Sequence, residues 1–169
     1  KTAERREFGE ARLRVGADGL REASFGLNRR VDDTHHARID LNHRDSDSWI
    51  EGSGSRSTQL ATSLRSDFSQ AFTHLLAYEY QEEDVDRPYW GTPLLNPVAG
   101  RARIDPGTRF KNYNSLDGVY DQRVHWLRSV SQFKPDERTQ WSNTLYAYDA
   151  LRDYRNVETY RFNPGNTAV

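Results

Sequence analysis

The chain contains no cysteine and no methionine, and only 35% of its 169 residues are hydrophobic, with a mean hydropathy of -0.96. Without cysteine there can be no disulfide, thiolate zinc site or cysteine nucleophile; redox compartment stays open, because an envelope protein can also lack the residue. Apolar runs do not exceed four residues, as at residues 75–78, so no helix of about 20 apolar residues can cross a membrane. An excess of one charge is also missing. Lys and Arg number 24 against 25 Asp and Glu, which removes the basic balance of a nucleic-acid or anionic-membrane binder. The sequence begins at Lys1 with neither Met nor an apolar leader and reads as a mature chain or a piece of a longer one.

What is present argues against disorder. Disordered chains are poor in aromatics, yet here there are 4 Trp, 9 Tyr and 7 Phe. Period two runs through the first half. Ala11, Leu13 and Val15 alternate with Glu10, Arg12 and Arg14; after Ala17-Asp18-Gly19, the residues Ala23, Phe25 and Leu27 alternate with Ser24, Gly26 and Asn28. The pattern returns at residues 37–42 and 59–65, giving four strands. A fifth is expected over 72–81, a sixth over about 122–133 and a seventh over about 139–149. Helical spacing is weak everywhere; Phe68, Phe72 and Leu75 have it, but Ser66-Asp67 reads better as the start of a tight turn.

Once the first hairpin is passed, the connections alternate in length. Residues 31–36, 65–71 and 133–138 are short and polar, whereas 44–57, 82–121 and the tail from Ala150 are long. Short turns at one end and long loops at the other are the habit of outer-membrane barrels. A polar face recurs as Arg12, Arg14, Arg38, Asp40, Asn42, Gln59 and Arg65, opposite a thin apolar face with aromatics expected near the strand ends. The expected fold is all-β: antiparallel up-and-down strands forming part of a large transmembrane β-barrel with long extracellular loops. A soluble antiparallel sheet with one wet face is the alternative.

Residues 78–95 carry Tyr78-Glu79-Tyr80, Asp86-Arg87-Pro88, Gly91 and Pro93-Leu94-Leu95. In that order and spacing they resemble the early barrel strands of TonB-dependent siderophore receptors. Residues 109–114 resemble that family's third long loop, and 143–156 its next strand and loop. The resemblance covers almost the whole chain and implies that 1–169 is a partial receptor barrel of about seven strands. The TonB box, the plug domain and the remaining strands of a barrel of about 22 are not in this sequence. The resemblance also implies location in the cell outer membrane. Its partners would be a ferric siderophore, the TonB complex through the missing plug region, and outer-membrane lipid and lipopolysaccharide. The long connections would face outward, and the ferric siderophore would be the transported ligand, with no covalently bound cofactor.

A bulky polar chelate calls for aromatic planes and hydrogen-bond donors at the mouth of the passage. The candidate ligand-binding residues are Tyr89, Trp90, Asn112, Tyr113 and Tyr120, with Arg87, Arg109 or Arg101 contributing if the ligand is anionic. For any single ring among them, packing of the loop against its neighbours is the commoner role. Glu82, Glu83, Asp84 and Asp86 read as a solvated acidic loop, or one bridged to lipopolysaccharide by divalent ions, before paired catalytic carboxylates. Asp45-Ser46-Asp47 with Glu51-Gly52 lacks the Gly and Glu placement of a calcium loop. His35 and His36 point to opposite faces, and His43, His74 and His125 stand on separate strands. No catalytic or metal-ligating residue is assigned, and no nucleotide-binding or hydrolase motif occurs. The chain is expected to be a receptor and not an enzyme; the competing function is a soluble all-β module binding carbohydrate or another ligand.

Overall fold

The computed structural model of the protein describes residues 1–89, 91–92, 94–95 and 103–157. Seven strands form one antiparallel sheet in which each pairs with its neighbours along the chain. These are β1 (Phe8–Val15), β2 (Arg21–Arg30), β3 (His35–Ser46), β4 (Ser55–Asp67), β5 (Phe72–Asp86), β8 (Val119–Phe133) and β9 (Trp141–Arg155). A separate two-strand pair, β6 (Leu94–Leu95) with β7 (Arg103–Ile104), lies inside the long connection between β5 and β8. Among the described residues there is no α-helix, only a single 3-10 turn at Pro106–Thr108. The all-β, up-and-down architecture expected from period two is therefore the one present.

The strands are longer than the alternation indicates. β3 runs to Ser46, β4 starts at Ser55, β5 continues to Asp86 and β9 to Arg155. Glu82, Glu83, Asp84 and Asp86 are thus strand residues, correcting their reading as a loop, and residues 150–155 are strand instead of tail. Beyond the apolar band both faces are polar, so the period-two signal fades although the backbone ladder continues. One end of the sheet is closed by residues 31–34, 68–71 and 134–140, the other by 16–20, 47–54 and 87–118. At 16–20, Asp18 and Gly19 have φ of 55° and 66°, the pairing that a tight hairpin turn demands, and Asp47 lies against Gly19 where a Cβ would stand.

Burial in this sheet is inverted relative to a water-soluble domain. On the face shared by Leu13, Phe25, Ile39 and Leu41, exposure is 84%, 45%, 39% and 44%. On the opposite face Asn28, His36, Arg38, Asp40 and Ser63 are buried, and among the described residues the only buried hydrophobic ones are Ala3, Ile50 and Ala77. A compact globule of this mass exposes about 8,600 Å²; this chain exposes 12203 Å². The sheet has no apolar core, and it curls around its polar side, since Glu10 on β1 and Trp126 on β8 line one trough.

Two belts bound the apolar face. At the short-turn end Phe72, Phe133 and Trp141 sit side by side in register; Phe68 stacks on Phe72 at 5.7 Å and His35 meets Phe68 edge-on at 6.0 Å. At the other end Arg21, Asp45, Arg56, Asp84, Asp121 and Asp153 form a continuous cross-strand row. The aromatics do not all keep to strand ends on the apolar face, however. Trp126, Tyr146 and Tyr148 lie mid-strand on the polar face, where the Trp126 ring stands 5.7 Å from Tyr148.

Candidate functional site

The polar side of the sheet is a built surface. Its trough of about 550 Å³ is bordered by Glu10, Arg12, Asp40, Gln59, Glu79 and Trp126. Alternation delivers these side chains to one face, and antiparallel register places them in rows, with Asn42 beside Gln59 and Gln59 beside Gln81. Arg38 and Asp40 meet fork to fork at 2.6 and 3.1 Å, a geometry that offsets the cost of removing both charges from water.

Residues 1–7 lie across this polar face as a strap. Asn28, fully buried, accepts from the Glu4 amide at 3.0 Å and donates to the Glu4 and Arg6 carbonyls at 2.8 and 2.7 Å. Ser63 Oγ accepts from the Ala3 amide at 2.8 Å. Arg5 pairs with Asp67 at 3.0 Å, and Lys1 with Asp40 at 3.1 Å. The strap is held by polar contacts to the wall, with Ala3 its one buried apolar side chain.

At the long-loop end, β5 runs out into Arg87, whose φ of 41° is left-handed and costs a non-glycine residue about 1–2 kcal/mol. Its surroundings offset this. Arg87 donates to the Asn112, Asn114 and Ser115 carbonyls at 3.0, 3.0 and 3.3 Å. Its own carbonyl accepts from Asn112 Nδ2 and from Ser53 Oγ. Asn114, 4% exposed, donates to the Pro88 carbonyl at 2.9 Å and accepts from the Ser115 and Val157 amides. Above this root Trp49 meets Tyr89 at 5.9 Å and Phe110 at 6.4 Å, both edge-on, and the Arg109 guanidinium lies over the Phe110 ring at 5.2 Å.

The residues expected from sequence to bind a ligand therefore divide. Arg87 and Asn112 come together, but in mutual hydrogen bonds at the loop root. Tyr89 is 40% exposed and bonds through its hydroxyl to Thr92 Oγ1 at 2.7 Å. Arg109 follows the 3-10 turn that Asp105 caps, and Tyr113 is half-buried between Asn112 and Asn114. Tyr120 is apart from these, on the polar face of β8, bonded to Gln122, edge-on to Tyr154 and covered by Arg152. Trp90 and Arg101 lie outside the described residues. Sequence reasoning missed Trp49, Asn114 and the Trp126, Tyr146 and Tyr148 cluster. Trp49 gives no periodic signal in its connection, and its ring partners are distant in the chain.

Beside the loop root Asp45, Asp47, Asp84 and Asp86 border a smaller hollow of about 240 Å³. Burial, together with the neighbouring carboxylates of Asp121 and Asp86, holds Asp84 above the usual carboxylate range. Among the described residues no three His, Cys, Asp or Glu side chains converge as ligands for one metal ion.

No family model matches the sequence, and no curated protein sequence matches it. In structure the chain is similar to the siderophore receptor PiuA from Acinetobacter baumannii, with a TM-score of 0.80 and 19% identity over 91% of this chain. The chain spans 22% of the length of that receptor. The relation is a distant structural one and establishes a shared fold.

Proposed function

We propose that the chain is part of an outer-membrane receptor for ferric siderophores. Its seven strands would form a portion of the wall of a transmembrane β-barrel, and uptake would be energised through the TonB complex. The observation that carries this reading is the inverted sheet: exposed Leu13, Ile39 and Leu41 on one side, buried Asn28, Arg38 and Asp40 on the other. In hydrocarbon the Leu, Ile, Phe and Tyr side chains of this face are satisfied, with His125 and Asp149 side by side and the Glu82–Arg123 pair toward its charged end; interior backbone groups are paired strand to strand, and the polar face lines an aqueous or plugged passage. Phe72, Phe133 and Trp141 then sit at one interface, and the row from Arg21 to Asp153 stands above the other.

In this reading the connections 47–54 and 87–118 face outward and first meet the ligand. Tyr89, Arg109 and Tyr113 are the contact residues, with Trp90 in the same segment; Arg87 and Asn112 hold the loop, and Tyr120 belongs to the wall below it. The role is binding and passage, not catalysis. A soluble all-β module would have to cover the apolar face with further chain. The test is fractionation with uptake. The protein should copurify with outer membranes and leave them only in detergent, and cells lacking its gene should lose uptake of a ferric siderophore under iron limitation. A monomer soluble without detergent, or uptake unchanged against every ferric chelate the wild type takes up, contradicts the proposal.

A further inference from the structure

The two outward connections are not independent loops. The Glu51 amide donates to the Phe110 carbonyl at 2.8 Å, and the Asp86 amide to the Gly54 carbonyl at 2.9 Å. Ser53 Oγ reaches the Arg87 carbonyl at 3.1 Å, and the Arg87 amide reaches the Gly118 carbonyl at 3.0 Å. Residues leaving β9 join them, because the Val157 amide donates to Asn114 Oδ1 at 3.0 Å. Three segments far apart in sequence thus meet on Arg87, Asn112 and Asn114. The fit leaves no slack: a Cβ on Gly118 would stand 2.7 Å from Asn114 Nδ2, and one on Gly52, at φ 64°, would stand 3.2 Å from Arg87 Nη1.

We infer that Arg87, Asn112 and Asn114 are positioning residues that lock residues 47–54, 87–89 and 105–118 into one body, so that Trp49, Tyr89 and Phe110 are presented as a single aromatic shelf. The three guanidinium contacts of Arg87 go to carbonyls of its own chain, so this arginine fixes the loop and Trp49 becomes a ligand-facing ring. Trp49 and Phe110 are 52% and 56% exposed, so much of each ring stays open although they meet edge-on and Arg109 covers one side of Phe110. Aromatic planes with the Arg109 cation beside them suit a ligand that offers a flat surface for stacking and an anionic group at its edge. The functional meaning rests on the receptor reading proposed above; the coupling of the loops does not.

The test uses the protein in detergent micelles with no ligand, comparing Asn114→Ala, Asn114→Asp and Arg87→Lys with the wild type. Hydrogen exchange at the Glu51 amide, which none of these side chains touches, should quicken by about tenfold or more in Asn114→Ala and Arg87→Lys. Amides of β3 to β5 should keep their protection, showing that the sheet is intact. Asn114→Asp keeps an acceptor at Oδ1 while losing the Nδ2 donor to Pro88, and should restore protection at Val157. With Trp90, Trp126 and Trp141 replaced by Phe, the emission of Trp49 should shift to longer wavelength in both disrupting variants as the shelf parts. Unchanged Glu51 exchange, or unchanged Trp49 emission, in those variants overturns the inference, and leaves the receptor reading to its own uptake test.

Discussion

Placing an arginine at Ile39 separates a lipid-facing sheet from a water-facing one. Ile39 lies on β3 between Leu27 and Thr62 in register, with Ala37 and Leu41 on the same face. It is about midway along the apolar face of β3, between His35 at the aromatic belt and Asp45 in the charged row, and it is 39% exposed. An arginine near the bilayer midplane on the outer face of a barrel costs about 2–4 kcal/mol, which is roughly a 30- to 900-fold loss in the folding equilibrium. In a sheet whose apolar face met water, the same substitution would be close to neutral, as surface changes usually are. Gln59→Arg is the control, because Gln59 borders the trough on the polar face. Urea unfolding in phospholipid vesicles, followed by Trp fluorescence, measures both. Equal stability of Ile39→Arg and Gln59→Arg would refute the assignment of faces.

Asn28→Ala removes three hydrogen bonds from a fully buried position and should cost about 1–3 kcal/mol. The loss falls on the strap, so trypsin should cut after Arg5 and Arg6 faster than in the wild type; unchanged cleavage would mean that the strap is not held there. The Asp32 carboxylate accepts from the Thr34 and His35 amides and contacts the His35 ring, which holds it below the usual carboxylate range. A depressed acid stabilises the turn above its unfolded value, near pH 4, and loses that effect as pH falls through the lower folded value. The Thr34 and His35 amide shifts should therefore move on acidification below about pH 4, and Asp32→Ala should abolish the response.

How much of this was legible in the sequence depends on what each residue faces. Ala11 to Val15 and Ala37 to Asn42 showed their strands because one side is apolar and the other polar. Glu82 to Asp86 and Arg152 to Arg155 hid theirs, being polar on both sides while still paired in the ladder. The short β6 and β7 pair carries too few residues for any period. At the loop root Arg87 looked like a grip for an anion, and its charge and exposed setting in sequence gave no hint that carbonyls from 112–115 would occupy it. Asn114 and Trp49 meet partners tens of residues away across the loops, a relation that only the folded chain creates. The polar-face position of Trp126 follows from counting along β8 from Leu127, but aromatic character alone suggested an interface.

The central claim is that alternate residues of one strand meet hydrocarbon and water. Nitroxide labels placed singly at residues 37 to 42 of β3, in the protein reconstituted into lipid bilayers, test it by relaxation with oxygen and with a water-soluble nickel chelate. Labels at 37, 39 and 41 should collide with oxygen, and labels at 38, 40 and 42 with the chelate or, where the wall is packed, with neither. Chelate access at 37, 39 and 41 equal to that of an exposed loop site would contradict the account.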